Sequence, residues 1–347
     1  MIGHVVFGHV IATEPKDMYM SRVAAVRGGV PVSTPALTLN RLCGSGLQAI
    51  LTAANAILHG DCDAAIGGGV ESMSRASYWL PAMRWGARLN DANAVDALVG
   101  ALTDPFDEVH MGVTAENVAH KWSISRQDQD EWAVESHKRA TSAIKEGRFA
   151  GQIIPIELKS KAGTIQFVTD ESPRSDATVE SLARLKPAFD SEGTVTPGNA
   201  SSINDGAAAV VLMEKNADGL LGLKPIARLV DYSVTGVEPS IMGIGPISAV
   251  RKLYKKTGLS NAQMDVIELN EAFAAQFLAV QRELDLPLDK TNPNGSGIAL
   301  GHPIGATGAV LVVKALHELR RIGGQFALVS MCIGGGQGIA AIFESVN

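Results

Sequence analysis

A short apolar segment at 36–39 runs into Cys43-Gly44-Ser45-Gly46. A stretch of small and aliphatic residues follows at 47–59, then a second apolar segment at 63–66 that leads into Gly67-Gly68-Gly69. Strand, glycine-rich turn, helix and strand in that order make a βαβ unit, which requires a parallel sheet buried on both faces. Upstream, 5–10 reads as a strand and 18–27 as a helix ended by Gly28-Gly29. The chain has 36 glycines and only 5% aromatic residues, which favours α/β layers with tight turns over a β-sandwich.

The same grammar returns in the last third: a strand at 265–269, a helix at 271–284, a Gly/Pro loop, a helix at 305–321, a strand at 326–331, a turn at Cys332 and a strand at 339–343. Both halves place a cysteine at the end of an apolar strand with glycines straight after, Cys43-Gly44-Ser45-Gly46 and Cys332-Ile333-Gly334-Gly335-Gly336. This weak internal repeat would put both cysteines near a shared cleft. From Ser74 the character changes to Trp, Met, Arg and Asp, with a charged helix at 125–147 opened by a Ser125/Asp128 capping box and short strands at 153–158 and 164–168. That stretch, to Ser202, reads as an inserted domain, after which a strand at 207–213 resumes the layers. At 347 residues, 46% of them hydrophobic, two or three domains are expected.

Charge and cysteine usage exclude several classes. The net charge is 30 − 36 = −6 and there is no basic block, so nucleic acid is not an expected partner. Cys43, Cys62 and Cys332 form no CxxC pair and are odd in number, which suits neither a disulfide framework nor a zinc site; no metal is expected, and a reducing cytoplasm fits. The start lacks a basic, apolar leader, and apolar runs such as 309–313 stop at a lysine far short of a bilayer, so no membrane is expected.

Four segments can carry chemistry. Cys43 stands at a strand-to-helix turn, where the positive end of the helix dipole favours thiolate, and Gly44 and Gly46 would open room for substrate and expose N–H groups. A small filler in a tight turn is the alternative. Cys332 has similar surroundings, whereas Cys62 lies in a polar link and reads as structural. His302 sits among Gly295, Gly297, Gly301, Gly305 and Gly308, a loop with little core to fill that faces a ligand or else marks a mobile turn; it lacks the lysine of a phosphate loop. Asn270 ends an apolar strand, either donating to an oxyanion or capping the next helix.

Cys43-Gly44-Ser45-Gly46, Asn270-Glu271-Ala272-Phe273, Gly301-His302-Pro303 and Cys332-Ile333-Gly334-Gly335-Gly336, in this order, resemble the thiolase family, and the likeness extends over 67–74 and 110–117. It looks closest to bacterial biosynthetic acetoacetyl-CoA thiolases and to β-ketothiolases that feed polyhydroxyalkanoate synthesis.

The resemblance implies two similar βαβ-rich halves, 1–73 plus 203–225 and 226–347, in a layered α/β/α/β/α core, with a CoA-binding loop domain at 74–202. It implies that Cys43 accepts the acyl group with help from His302, and that Cys332 moves the proton at the α-carbon, its thiol pKa lying near working pH. One oxyanion hole would be His302 with a water on Asn270, the other the N–H groups of Cys43 and Gly334. CoA contacts fall on His110, Met111, Arg174, Phe189, Ser201, Met242, Ala272 and Phe273, although Arg174 could equally be a solvated charge. Acyl-CoA and CoA are the implied substrates, with no permanently bound cofactor, and a homo-oligomer, a tetramer or dimer of dimers, is implied.

Two departures from the family are visible. Ahead of 3–10 the family carries a further strand and helix, so an unfilled central position in the first sheet is expected, and Pro197 replaces a small residue near the pantetheine path. The alternatives to an active thiolase are therefore a catalytically impaired CoA-binding or oligomer-scaffolding relative, and a β-ketoacyl synthase, which shares the fold but lacks a cysteine matching Cys332.

Overall fold

The computed structural model describes residues 1–160, 163–215 and 222–346. The first part of the chain forms β1 (His4–Gly8), α1 (Met20–Arg27), β2 (Ala36–Leu39), α2 (Ser45–Leu58) and β3 (Ala64–Ser72). An excursion follows with β4 (Tyr78–Trp79), β5 (Val95–Asp96), α3 (Ala97–Ala101), α4 (Met111–Lys121), α5 (Arg126–Lys145), β6 (Ile156–Ser160), β7 (Gly163–Phe167) and α6 (Val179–Ala183). The remainder is β8 (Asp205–Met213), β9 (Ala227–Gly236), α7 (Gly245–Thr257), β10 (Met264–Leu269), α8 (Ala274–Leu284), α9 (Gly297–Leu300), α10 (Thr307–Ile322), β11 (Phe326–Ile333) and β12 (Gln337–Ser345).

Two four-stranded sheets organise the molecule, ordered β2-β1-β3-β8 and β10-β11-β12-β9. Both are mixed, not parallel as expected. β1 runs parallel to β2 and β3, and β10 parallel to β11, but β8 returns antiparallel to β3, and β12 is antiparallel to β11 and β9. The reason is local: Gly335 and Gly336, at φ 75° and 80°, turn β11 straight back into β12, so no crossover helix is needed there. The first sheet has no unfilled central position either, because β1 is paired along its length with β2 on one side and β3 on the other. In the second sheet the strand that precedes β10 in sequence, β9, lies at an edge and not in the middle; the matching edge of the first sheet is β8.

Alternate residues show how the second sheet is buried. Val266, Val329, Met331, Ile339 and Ala341 share a cluster with Leu47, Ile50 and Leu51 of α2 and with Leu311 and Val312 of α10. Ile267, Leu269, Leu328, Ala340 and Ile342 face the other way, onto Val250 and Leu253 of α7 and Phe277 of α8. That period of two is the pleat of a strand covered on both faces. Helices α2 and α10 pack on each other and each touches a sheet, so they lie between the sheets, and α1 sits against β1 and β2.

Glycine permits this closeness. Gly67, Gly68 and Gly69 lie inside β3, not in the turn after it: a Cβ there would stand 2.7 Å from Ile50 Cα, 2.4 Å from the Ala208 carbonyl and 2.2 Å from the Gly305 carbonyl. Each glycine admits a different neighbouring backbone. Ser125 and Asp128 close the expected capping box at the start of α5. Among the described residues no helix is long and apolar enough to cross a membrane.

Candidate active site

Cys43 sits in the turn between β2 and α2, behind a left-handed residue, Leu42 (φ 45°). That conformation costs a leucine about 1–2 kcal/mol. The turn is braced to hold it. Leu42 N–H donates to Asn40 Oδ1 (2.8 Å), Arg41 N–H to Ser45 Oγ (2.8 Å), and Ser45 Oγ–H to the Leu42 carbonyl (2.6 Å). Gly44 and Gly46, expected to open room for substrate, are instead filled by protein: a Cβ on Gly44 would meet Ile333 Cδ1 at 2.5 Å, and one on Gly46 would meet Ala309 N at 2.8 Å.

The thiol of Cys43 does not follow the dipole argument. Burial pushes it up to about 11, and the N–H groups of Gly334 and of Cys43 itself, both donating toward sulfur, offset only part of the rise. Cys332 lies within β11, not in a turn, and is buried; burial raises its thiol further, and the negative charge of a neighbouring Cys43 thiolate adds to the effect. Its pKa therefore departs from the near-neutral value expected. The two halves do bring both cysteines together, as the repeat suggested.

His302 and Asn270 are both buried. His302 Nε2 lies 3.3 Å from Asn270 Nδ2, Nδ1 lies 2.6 Å from Thr307 Oγ1, and the backbone N–H donates to Asn204 Oδ1 (2.9 Å). Burial lowers the imidazole to about 4. Asn270 does not cap a helix, since α8 begins at Ala274 with Phe273 at its N-cap, three residues later than expected. Its backbone is fixed by donation to the Ser330 carbonyl (3.0 Å), which sets it beside the cysteine-bearing strand. The His302 loop touches the Cys43 turn through Ile304, which shares a cluster with Cys43, and through Gly305, whose carbonyl crowds Gly46.

Most of the expected CoA residues converge as well. Met111, Met242, Ala272, Phe273 and Cys332 form one buried cluster, with Phe189 against it. His110 stacks on Phe189 at 4.6 Å and 14°, and its Nδ1 accepts the Gly112 N–H (3.0 Å) as the N-cap of α4. Ser201 donates to the Ala272 carbonyl (3.0 Å), and Met111 comes close to Gly334. Arg174 stands apart: it is exposed, and its backbone N–H donates to His137 on α5 (3.1 Å). Pro197 is exposed in a turn closed by Thr196 and Asn199. A cavity of 2210 Å³ along the outer edge of β8 is lined by none of the four expected catalytic side chains.

Two buried carboxylates were not anticipated. Glu71 accepts N–H groups from Val10, Ile11 and Gly305 (2.9–3.1 Å), tying the His302 loop to the first half. Glu271 accepts from Trp132 Nε1, Ser136 Oγ, Asn292 Nδ2 and Ile298 N, pinning α5 beside Asn270. An acid inside an otherwise apolar strand end was the available signal, because such a charge has to be partnered.

Two mixed sheets sandwiching a helix pair, with two cysteines, a histidine and an asparagine brought to their junction, define a thiol-dependent acyl-transfer class of protein. Family comparison agrees: residues 1–216 match the family described as thiolase, N-terminal domain, and 223–345 match thiolase, C-terminal domain. The chain belongs to the thiolase family. It is 62% identical to β-ketothiolase BktB of Cupriavidus necator over 99% of this chain and 88% of that protein. It is 48% identical to the acetyl-CoA acetyltransferase of Chromobacterium violaceum, over 99% and 88% of the two chains. Among solved structures it is similar to human mitochondrial 3-ketoacyl-CoA thiolase in complex with CoA, with a TM-score of 0.96 at 44% identity, covering 100% of this chain and 87% of that one.

Proposed function

We propose that the chain is an acyltransferase that reversibly condenses two acyl-CoA molecules, or cleaves a 3-ketoacyl-CoA with CoA, through an acyl group carried on Cys43. The observation that carries this reading is the meeting of three segments at Cys43, with Ile304 of the His302 loop packed against it and Ile333 of the Cys332 strand against Gly44, while the N–H groups of Cys43 and Gly334 act on the thiol. A carbonyl bonded to that sulfur has donors beside it for its oxyanion.

The resting pair is neutral. Burial raises the Cys43 thiol and lowers the His302 imidazole, and both shifts favour neutral thiol beside neutral imidazole over thiolate beside imidazolium. The proton therefore leaves Cys43 as the sulfur attacks. In thiolysis sulfur adds to the 3-keto carbon, the C2–C3 bond breaks, and the carbanion of acetyl-CoA takes the proton of Cys332. CoA thiol then restores that proton and its sulfur releases the acyl group. In condensation the CoA thiolate released from the first acyl-CoA takes the proton of Cys332, and the Cys332 thiolate removes the α-proton of acetyl-CoA. The enolate oxygen is met by His302 and a water on Asn270, and the enolate carbon attacks the acyl group and releases Cys43.

His110, Met111, Phe189, Met242, Ala272 and Phe273 form the wall for pantetheine, with Ser201 behind Ala272 and Arg174 reaching a phosphate. CoA thioesters are substrates and no resident cofactor is needed. In this reading the products are acetoacetyl-CoA and 3-ketovaleryl-CoA, feeding polyhydroxyalkanoate synthesis, and the similarity to a β-ketothiolase and to an acetyl-CoA acetyltransferase supports the 3-ketoacyl-CoA class. In the same reading 74–202 is the CoA-binding domain, α1 completes an α/β/α/β/α core, and the chain works as a homotetramer in the cytoplasm. No observation favours an impaired relative, because the sheet gap that motivated it does not exist.

Intact-mass spectrometry tests the reading. Acetyl-CoA should leave an acetyl adduct that Cys43→Ala abolishes, while Cys332→Ala still acylates but does not condense. An adduct on Cys62 or Cys332 would overturn the assignment.

A further inference from the structure

Thr307 Oγ1 stands between one nitrogen of His302 and a backbone carbonyl. A threonine hydroxyl has one proton to give, and the Pro303 carbonyl four residues back, which also accepts the Ala306 and Thr307 N–H groups, stands 2.8 Å from it in the usual geometry of a threonine bonded back along its helix. The 2.6 Å contact between Thr307 Oγ1 and His302 Nδ1 then needs its proton on Nδ1. At the far end of the ring, Asn270 turns its Nδ2 amide toward Nε2 at 3.3 Å, so a proton on Nε2 would set donor against donor. With these contacts both ends of a buried imidazole ask for the same tautomer, and among the described residues no carboxylate is bonded to the ring.

We propose that Thr307 is a positioning residue that fixes resting His302 as the Nδ1–H tautomer, leaving the Nε2 lone pair as the proton acceptor. This rests on the acyl-transfer reading for its use in catalysis. As Cys43 sulfur bonds to the acyl carbon, its S–H bond breaks and the proton moves to Nε2. The ring becomes a cation with Nδ1–H still on Thr307 and a new Nε2–H that donates to oxygen. When the acyl group leaves, the proton returns to Cys43 sulfur. The opposite tautomer begins with Nε2 already protonated and cannot take that proton. Asparagine alone cannot supply this choice, because its amide can present either nitrogen or its otherwise unpartnered oxygen, whereas the Thr307 hydroxyl bonded back to Pro303 offers Nδ1 only an acceptor.

The test compares Thr307→Val, which keeps shape but has no hydroxyl, with Thr307→Ser, which keeps the hydroxyl. Histidine-selective ¹⁵N labelling, with the His302 signals assigned by their loss in His302→Asn, reads the tautomer directly. Wild type and Thr307→Ser should show a protonated Nδ1 and an unprotonated Nε2; Thr307→Val should lose that pattern. In rapid-quench mass measurements, acylation of Cys43 should fall about 10- to 100-fold in Thr307→Val, the size of effect seen when a histidine's orienting partner is removed, and Thr307→Ser should recover to within about threefold. A wild-type spectrum with Nε2 protonated overturns the proposal, as does a folded Thr307→Val that acylates at the wild-type rate. If Thr307→Val does not fold, the wild-type and serine spectra still decide. Wild type that takes up no acyl group, yet shows Nδ1–H, would instead remove the acyl-transfer reading.

Discussion

Gly46→Ala should separate the two halves of the site with one methyl group. The added Cβ would lie 2.8 Å from Ala309 N, 2.9 Å from the Ala306 carbonyl and 3.1 Å from the Gly305 carbonyl, all backbone atoms that no rotamer change can move. Ordinary contact starts at 3.4 Å, so α2 and α10 must part by about 3.4 − 2.8 = 0.6 Å. Overpacking of this kind costs about 1–3 kcal/mol, and replacing glycine by alanine in a helix returns about 1 kcal/mol. The net loss of stability is then about 0–2 kcal/mol, small enough to leave a folded enzyme. The consequence for activity is larger. Cys43 rides on the start of α2 and His302 on the loop that opens α10, so the same displacement pulls nucleophile from base. At about 100-fold per ångström of misplacement, 0.6 Å lowers kcat about 10- to 30-fold. Steady-state cleavage of acetoacetyl-CoA by CoA, beside urea unfolding, measures both. Gly308→Ala should be worse, because its Cβ would stand 2.3 Å from Leu47 N. A Gly46→Ala enzyme with kcat within twofold of wild type, or a reversed order of the two variants, would refute the packing argument.

Other outcomes follow from the same site. Inactivation of the free enzyme by iodoacetamide should rise about tenfold per pH unit from 7 to 10, because burial lifts Cys43 to about 11; a plateau near pH 8 would mean a preformed thiolate. Stability changes in the same range: the folded pKa lies above the ordinary thiol value of 9.0, so this contribution is present below pH 9 and is lost as pH rises toward 11, readable as a falling unfolding free energy. Glu271→Ala strands the buried donors Trp132 Nε1, Ser136 Oγ, Asn292 Nδ2 and Ile298 N, and should cost about 3–5 kcal/mol in urea titration, with faster hydrogen exchange in α5. Phe189→Ala removes the ring that stacks on His110 and packs edge-on to Phe273 at 6.4 Å, and should raise KM for CoA about tenfold with kcat nearly unchanged. Equal loss in both parameters would place Phe189 in the chemistry instead.

Much of this arrangement was written locally. The apolar segment at 36–39 is β2, the small-residue run after Cys43 is α2, and the Ser125/Asp128 box starts α5, because each depends on neighbours a few residues away. Cys43, Cys332, His302 and Asn270 were recognisable together by residue type and order. Strand direction was not legible: an apolar segment reads the same whichever way its neighbour runs, and only the hairpin at Gly335-Gly336 makes β12 antiparallel. Glycines were seen as special, but sequence could not say whether ligand or protein would fill the space they leave.

Sequence by itself determined the thiols, the imidazole and the amide, and the two glycine-rich turns that would present them. Tertiary structure decided their electrical state. Cys43 lies at the start of a helix, which favours thiolate, yet enclosure between two halves far apart in the chain raises it, lowers His302, and leaves a neutral pair. Desolvation depends on everything that surrounds a group, and for this site the surroundings come from β11, from α10, and from carboxylates at Glu71 and Glu271 that hold separate segments in place.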